Sequence, residues 1–326
     1  MAEGEERRPD DPEHGAASEA GEPGDLDSAQ QWRTRPIWLA ALAAIVAFLA
    51  LYGTYARQSS DGVDDDPASP AGLFRQAQAI GTSLTAVGRT AGLAEPCTAW
   101  LLDVGAAGEQ AAYAVTSARC VGQTDPASVM AGMDVPEATV EFNAFAPLTS
   151  AGQADLVQAP VEAVEWASVR GTDLAVLRLG STYAELGDRG VRPIDPVAAA
   201  EQGAEILIAG VPVEGLATDQ QYLRGSRCQV GETSDILEEG LLGLDGQASD
   251  CAGILEGSQG SPVFNPAGGA VAMVTTTTIG ATQATACALG LPCQVADDGG
   301  ISVKDDTTYM LPVVALASCF PEGTFS

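Results

Sequence analysis

The stretch from Cys97 to the end of the chain is a succession of short apolar runs, and this feature most limits the fold. The runs are rich in Val, Leu and Thr, and turns containing Gly, Asp or Pro separate them. No long helical pattern lies between them. Short strands without helical crossovers pair antiparallel, so the sequence predicts an all-β fold closed as barrels or packed as a sandwich. The clearest runs are TAWLLDVG, AAYAVTSARCVG, ATVEFNAFAP, APVEAVEWA, DLAVLRLG, AEILIAGVP, QYLRGSRCQV and SPVFNPAGGAVAMVTTTTIG.

Two segments near the start differ from the rest in composition. Residues 1–36 are rich in Gly, Pro, Glu and Asp and poor in aliphatic side chains, which predicts a disordered acidic tail. Residues 37–56 are 20 uncharged residues, the length of a helix that crosses a bilayer core of about 30 Å. Trp38 at one end and Tyr52 and Tyr55 near the other suit the two membrane interfaces. We therefore expect one transmembrane helix.

The flanking charges predict its orientation. Arg33 and Arg35 precede the apolar segment, whereas Arg57 is followed by a run of aspartates. The positive-inside rule places the N-terminus in the cytoplasm and residues 57–326 outside a cell membrane. A cleaved signal peptide is the alternative, with residues 54–56 as the cleavage site, but the long acidic region ahead of it favours an uncleaved anchor.

Residues 57–93 are predicted to be a polar linker and a juxtamembrane helix, and residues 94–326 the β-rich domain. The helix prediction rests on apolar side chains that recur every three or four residues. These positions are Leu73, Ala77, Ile80, Leu84 and Val87.

The charge and the cysteines limit the partners and cofactors. The formal net charge is −29, of which −6 lies in residues 1–36, so nucleic acid and anionic lipid surfaces are poor partners. A soluble acidic surface is the simplest interpretation, and a cationic peptide partner is the alternative. All seven cysteines follow the membrane segment, on the side where disulfides persist. The single histidine, His14, lies in the tail and no Cys-x-x-Cys spacing occurs, so we expect neither a metal site nor a cofactor.

Four stretches carry a resemblance to a known family. In chain order they are AVTSARCVG (114–122), GTDLAVLRL (171–179), a cysteine pair leading into GSQGSPVFN (228–265) and GGAVAMV (268–274). Together they resemble the trypsin-like (chymotrypsin-fold) serine peptidases, particularly bacterial ones with a Gly-x-Ser-Gly-Ser-Pro loop. The resemblance covers about residues 97–320. It implies two packed six-stranded antiparallel β-barrels with the site in the cleft between them.

The resemblance also assigns roles to three positions, and two of them lack the expected residue. Arg119 stands where the general base would be, Asp173 where the orienting aspartate would be, and Gln259 where the nucleophile would be. A glutamine amide is no nucleophile, and a guanidinium stays protonated and cannot accept a proton. Residues 57–326 contain no histidine that could replace the base. The sequence therefore predicts that no catalytic triad is intact and that hydrolysis is negligible.

Other residues offer weaker routes to catalysis. Ser258 and Ser261 flank Gln259, but both are better explained as parts of the turn. A serine–lysine dyad would need Lys304, the only lysine, and nothing in the sequence places it in the cleft. A cysteine left unpaired would lack an imidazole to activate it.

The same resemblance implies a binding site and a disulfide pattern. Arg119 and Asp173 would touch, either to neutralise a partly buried carboxylate or to let Arg119 bind a peptide carboxylate. The loop of Gly257, Ser258 and Gln259 would keep the shape of an oxyanion hole. The implied disulfides are Cys97–Cys120 and Cys228–Cys251, with Cys287–Cys293 as a local bridge or, as an open alternative, Cys319 paired with one of those two.

Three functions follow as hypotheses. The first is a membrane-anchored, extracytoplasmic pseudopeptidase that binds a polypeptide or regulates an envelope partner. The second is an active serine endopeptidase with a non-standard site. The third is a purely structural envelope protein. Arginine in place of lysine, with abundant Ala and Gly, indicates a GC-rich bacterial source.

Overall fold

The computed structural model describes residues 84–106, 108–144, 156–213, 216–217, 221–254, 257–281 and 285–326. The predicted tail (1–36), the predicted membrane helix (37–56) and residues 57–83 of the predicted linker and helix lie outside these ranges. None of the helices that the structure describes has the length and apolar run that a bilayer crossing needs.

The described residues form an all-β fold with few helices, as the short apolar runs predicted. One α-helix, α1 (Tyr183–Asp188), and 3₁₀ turns at Leu84–Ala86, Arg119–Val121, Val314–Cys319 and Pro321–Gly323 accompany the strands. The strands are β1 (Val87–Ala91), β2 (Thr98–Leu101), β3 (Ala111–Thr116), β4 (Met130–Asp134), β5 (Thr139–Phe142), β6 (Val157–Ser168), β7 (Leu174–Thr182), β8 (Glu205–Gly210), β9 (Arg224–Glu238), β10 (Leu241–Ser249), β11 (Pro262–Phe264), β12 (Ala270–Thr277), β13 (Cys293–Val295), β14 (Ile301–Ser302) and β15 (Thr308–Pro312).

Six strands of the first sheet close into a barrel. Their order is β6-β5-β1-β2-β3-β7, and β7 pairs again with β6, while β4 lies outside the ring against β6. The first half of β6 shows why its sequence forms a barrel strand: Val157, Ala159 and Val161 are buried and the residues between them are exposed. This period of two directs one face inward and the other to solvent.

The start of the barrel differs from the sequence prediction. Leu84 belongs to a 3₁₀ turn, and Val87 begins β1 instead of extending a helix. Strand β1 pairs antiparallel with both β2 and β5, so the domain begins before residue 94. The helical spacing was outweighed by these long-range pairings. Gly88 permits them, because a Cβ at Gly88 would collide with the backbone carbonyl of Glu141 in β5.

The second sheet has eight strands in the order β10-β15-β12-β11-β8-β9-β13-β14. Strand β9 is 15 residues long and pairs with β8, β10 and β13. Its final residues therefore lie where β10 and the short β13–β14 hairpin meet. The last residue of this strand, Glu238, is buried.

A continuous apolar core joins the two sheets. Trp100 and Phe142 from the first sheet lie in one buried cluster with Phe264 and Met273 from the second. A hydrogen bond from backbone to side chain also links the two sheets: the N–H of Val211, which follows β8, donates to Oγ1 of Thr98 in β2 at 2.9 Å. The shared core fixes the cleft-facing loops of both sheets relative to one another.

Disulfide bonds join the cysteine pairs named above. The structure pairs Cys97 with Cys120, Cys228 with Cys251 and Cys287 with Cys293. Cys319 is a free thiol and is partly exposed. The first bond ties β2 to the turn that carries Arg119.

Candidate functional site

A short turn after β3 positions Arg119. It is the first residue of the 3₁₀ turn Arg119–Val121, and Gly122 ends that turn with a φ of 82°. The next residue, Cys120, is fully buried in its disulfide with Cys97. Both ends of the turn are thus fixed, so the direction in which the Arg119 side chain leaves the backbone is fixed too.

Asp173 precedes β7 and is held by groups other than the Arg119 side chain. The hydroxyl of Ser117 lies 2.8 Å from each of its carboxylate oxygens. The backbone N–H of Arg119 donates to Oδ1 of Asp173 at 3.3 Å. Ser117 is completely buried. It was not identified from the sequence as a partner of Asp173.

The guanidinium of Arg119 donates four hydrogen bonds to acceptors of this chain. Nε and Nη2 both lie 3.2 Å from Oδ2 of Asp173, so two nitrogens share one oxygen. Nη2 also donates to the carbonyl of Thr275 at 2.8 Å, and Nη1 donates to the carboxylate of Glu238. The side chains of Arg119, Asp173 and Glu238 are 14%, 8% and 5% exposed. We call these three residues the Arg119 cluster.

Glu238 is the member of the cluster that the sequence did not reveal. It ends β9, and its Oε1 accepts hydrogen bonds from Oγ1 of Thr276 at 2.7 Å and from the N–H of Gly290 at 2.8 Å. In the sequence Glu238 and Glu239 are adjacent and look equivalent. Only the strand ladder shows that Glu238 points into the cleft, whereas Glu239 lies in the turn with a φ of 51°.

The contacts of the Arg119 cluster stabilise the protonated form of Arg119. Burial by itself would lower the pKa of the Arg119 guanidinium, but attraction to Asp173 and Glu238 and the hydrogen bonds to both raise the pKa above its ordinary value. Arg119 therefore stays protonated at every pH where the protein is folded. It cannot act as a general base in this position.

The side chain of Gln259 folds back onto its own loop. The N–H of Gly257 donates to Oε1 of Gln259 at 2.8 Å. The loop itself is anchored to both sheets, because the carbonyl of Gln259 accepts from the N–H of Thr98 at 3.0 Å and the N–H of Gly260 donates to Val274 at 2.9 Å. The N–H of Gly257, which the resemblance implies as an oxyanion-hole donor, is thus already bound to the amide oxygen of Gln259.

Gly260 is required by the shape of this loop, and we expect Gly260→Ala to lower the free energy of unfolding by about 2–4 kcal/mol. Its φ is +86°, and a Cβ there would collide with the carbonyl of Thr98 and approach Oγ1 of Thr116 at 2.7 Å. Gly253 is a matched control, since its φ is +76° but a Cβ there would meet nothing within 4 Å. Urea denaturation of both variants measures the difference. Equal losses for Gly260→Ala and Gly253→Ala would contradict the steric account.

Two hollows lie on either side of the Arg119–Glu238 pair. One is small and open to solvent, and apolar side chains form much of its surface, among them Val169, Ile236 and Leu311. The other is slightly larger and also open to solvent, and Gln259, Thr277 and Leu289 are among its lining residues. Both also include Arg119, Glu238 and Thr276 in their walls. The ion pair therefore divides the cleft into two parts.

The remaining candidates from the sequence lie outside the hydrogen bonds described above for the Arg119 cluster. The carbonyl of Ser258 accepts from the N–H of Ser261, and both serines are buried in the turn. Lys304 forms an exposed ion pair with Glu232. A nucleophile paired with a base is therefore not found among the cleft residues that the structure describes.

Comparisons with solved structures find similarity to trypsin-like proteases, the class that the four motifs resemble. Similar structures include the Rv3671c protease of M. tuberculosis in its active form (14% identity, 79% of this chain and 89% of that chain, TM-score 0.47). The MamO protease domain of Magnetospirillum magneticum has 16% identity over 73% of this chain and 96% of that chain, with a TM-score of 0.45. The HtrA-type protease AlgW with tripeptide has 15% identity over 74% and 61%, with a TM-score of 0.45.

No family model matches the chain, and no curated protein matches its sequence. With identities of 14–16% and TM-scores below 0.5, none of the three structures carries its activity over to this chain.

Proposed function

We propose that this chain is a membrane-anchored, extracytoplasmic pseudopeptidase, a double barrel of the trypsin-like type that binds a polypeptide without hydrolysing it. The observation that carries the proposal is the Arg119 cluster. A cation held between Asp173 and Glu238 stands where a base would have to accept a proton. Gln259, at the nucleophile position, uses its amide oxygen to accept the N–H of Gly257.

The shape of the cleft supports binding. Its two hollows are small and open to solvent, so they suit individual side chains of a peptide that lies along the cleft rather than an enclosed ligand. Arg119 already donates four hydrogen bonds to three acceptor atoms of the protein, and the cluster of one cation and two carboxylates is net negative. A ligand that adds another carboxylate at Arg119 is therefore disfavoured, and neutral or cationic side chains fit better.

The membrane anchor and the localisation belong to the same proposal. The uncharged 20-residue segment and its flanking arginines support one span, with residues 57–326 on the outer side of a cell membrane. The polypeptide partner or envelope protein would then be met outside the cytoplasm, where the three disulfides persist.

We expect the full-length protein, purified in detergent, to leave a broad peptide library uncut while retaining some of its members. Ala281→Trp, which fills the larger hollow, should weaken the retained peptides at least tenfold. Ile301→Trp is the matched control, because Ile301 is 58% exposed on β14 and does not line either hollow. Fluorescence anisotropy of labelled peptides measures the binding, and mass spectrometry measures the cleavage.

Each alternative function has its own outcome in this experiment. Cleavage by the parent protein that a single cleft substitution abolishes would establish an active peptidase with a non-standard site. No retained peptide would favour a purely structural envelope protein, whereas retention that Ala281→Trp leaves unchanged would show that peptides bind outside this hollow and would contradict the proposed site.

A further inference from the structure

The loop closed by Cys287 and Cys293, which we call the cystine loop, encloses the shortest stretch of chain of the three disulfides. Its cysteines are 6 residues apart, whereas the cysteines of the other two disulfides are each 23 residues apart. In the chain-entropy account a shorter ring constrains the unfolded chain less. The main contribution of this bond is therefore local: it holds the shape of the cystine loop.

The cystine loop is fixed onto the end of β9 at three points. Cys293 pairs with Leu237 in the β-ladder. The carbonyl of Cys287 accepts from the N–H of Glu239 at 2.7 Å. Between them, the N–H of Gly290 donates to the carboxylate of Glu238 at 2.8 Å. The loop thus supplies one of the three donors that hold the Glu238 carboxylate, beside Thr276 and Arg119.

The cleft depends on that carboxylate. Glu238 binds Nη1 of Arg119, and Arg119 binds Asp173, so a continuous set of polar contacts runs from the cystine loop across the cleft. Leu289 of the same loop also lines the larger hollow, as Gln259 does. A change in the loop would alter both the ion pair that divides the cleft and the volume beside it.

We propose that the Cys287–Cys293 disulfide is a redox lock: while it is oxidised it keeps the Arg119 cluster in place, and its reduction loosens that cluster. A dithiol reductant donates two electrons and two protons; the sulfur–sulfur bond becomes two thiols and the reductant becomes a disulfide. Cys287 is half-buried and Cys293 is fully buried, so the reductant attacks at Cys287. The freed loop withdraws the Gly290 N–H from Glu238, and the Arg119 cluster loosens. The lock regulates the binding site described under the proposed function and rests on that proposal for its use.

Labelling of Arg119 by phenylglyoxal tests the lock without any ligand. In the full-length protein in detergent, Arg119 is 14% exposed and should react slowly, whereas Arg178, which is 35% exposed, serves as the internal reference. In Cys287→Ser/Cys293→Ser we expect the ratio of Arg119 to Arg178 labelling to rise at least fivefold. Cys228→Ser/Cys251→Ser removes the other disulfide of the second sheet and should change the ratio less than twofold. Peptide mapping by mass spectrometry gives the ratio.

The Glu238→Gln variant distinguishes an effect of the disulfide on the Arg119–Glu238 ion pair from a general loosening of the structure. It removes the ion pair while leaving the cystine loop intact, so Arg119 should label fast whether or not the disulfide is present. An unchanged ratio in Cys287→Ser/Cys293→Ser would overturn the proposal, and so would equal rises in both disulfide variants. If the serine variant does not fold by circular dichroism, the wild-type protein is titrated with dithiothreitol, and Arg119 labelling must follow the loss of the Cys287–Cys293 bond. Peptide binding is measured separately, so a failed lock and a failed binding function give different results.

Discussion

Arg119→Met is expected to lower the free energy of unfolding by about 3–5 kcal/mol, the typical loss when one partner of a buried ion pair is removed. The side chains of Asp173 and Glu238, 8% and 5% exposed, would keep their hydrogen bonds from Ser117, Thr276 and Gly290 but lose the cation between them. Two carboxylates would then face one another in a poorly solvated cleft. Urea denaturation of the full-length protein measures the loss.

Arg178 provides the matched control for this prediction. It pairs with Glu162 and Glu165 on the surface of the first barrel, and its side chain is 35% exposed. Arg178→Met removes a cation from two carboxylates there as well, but solvent screens them, and the loss should be below about 1 kcal/mol. Equal losses at the two sites would show that the Arg119 cluster does not behave as a buried network.

Replacing the two carboxylates by neutral amides should restore much of the stability that Arg119→Met loses. In the Arg119→Met background, Asp173→Asn and Glu238→Gln remove the unpaired charges while keeping similar shapes. The triple variant is expected to be more stable than Arg119→Met alone, although each amide substitution by itself destabilises the parent. This reversal of sign tests whether Arg119 acts by neutralising the two carboxylates.

The sequence predicted the fold where a local pattern and the tertiary structure agree. Short runs such as β6, with Val157, Ala159 and Val161 on the inner face, predicted strands because the period of two is visible in a single segment. The prediction failed at Val87, where the helical spacing of the preceding apolar residues continues into a barrel strand. Pairing with β2 and β5 makes that segment a strand. Such long-range pairing cannot be detected in the local spacing of apolar residues.

Only the parts of the candidate site that lie within recognisable motifs could be predicted from the sequence. Arg119, Asp173 and Gln259 were identified from three short stretches, and the structure brings Arg119 and Asp173 into contact. Glu238 lies 119 residues from Arg119 along the chain and belongs to no motif. The fold-back of Gln259 onto Gly257 is a side-chain conformation, which the sequence cannot specify. The missing parts of the site are thus those that depend on tertiary packing.

Arg119→His, Gln259→Ser and Glu238→Gln together are expected to create peptidase activity at least about 10³-fold above the parent, out of the roughly 10⁶-fold that an intact triad contributes. Asp173 is already oriented by Ser117 and by the backbone of Arg119, so an imidazole at 119 finds its partner in place. Gln259→Ser supplies the hydroxyl and frees the N–H of Gly257 for the developing oxyanion. Hydrolysis of a fluorogenic peptide library measures the gain.

The Glu238→Gln change decides how well the introduced imidazole works as a base. With Glu238 retained, two carboxylates lie near the imidazole and raise its pKa, so less of it is neutral at pH 7 and the rise of activity with pH moves to higher pH. The variant without Glu238→Gln should therefore be slower at pH 7 and approach the triple variant only in more alkaline solution. Adding Asp173→Asn to the triple variant should remove most of the gain, and Gln259→Ala in place of Gln259→Ser should remove all of it. A folded triple variant that stays silent, or activity that survives Asp173→Asn undiminished, would mean that the three positions do not form a triad geometry.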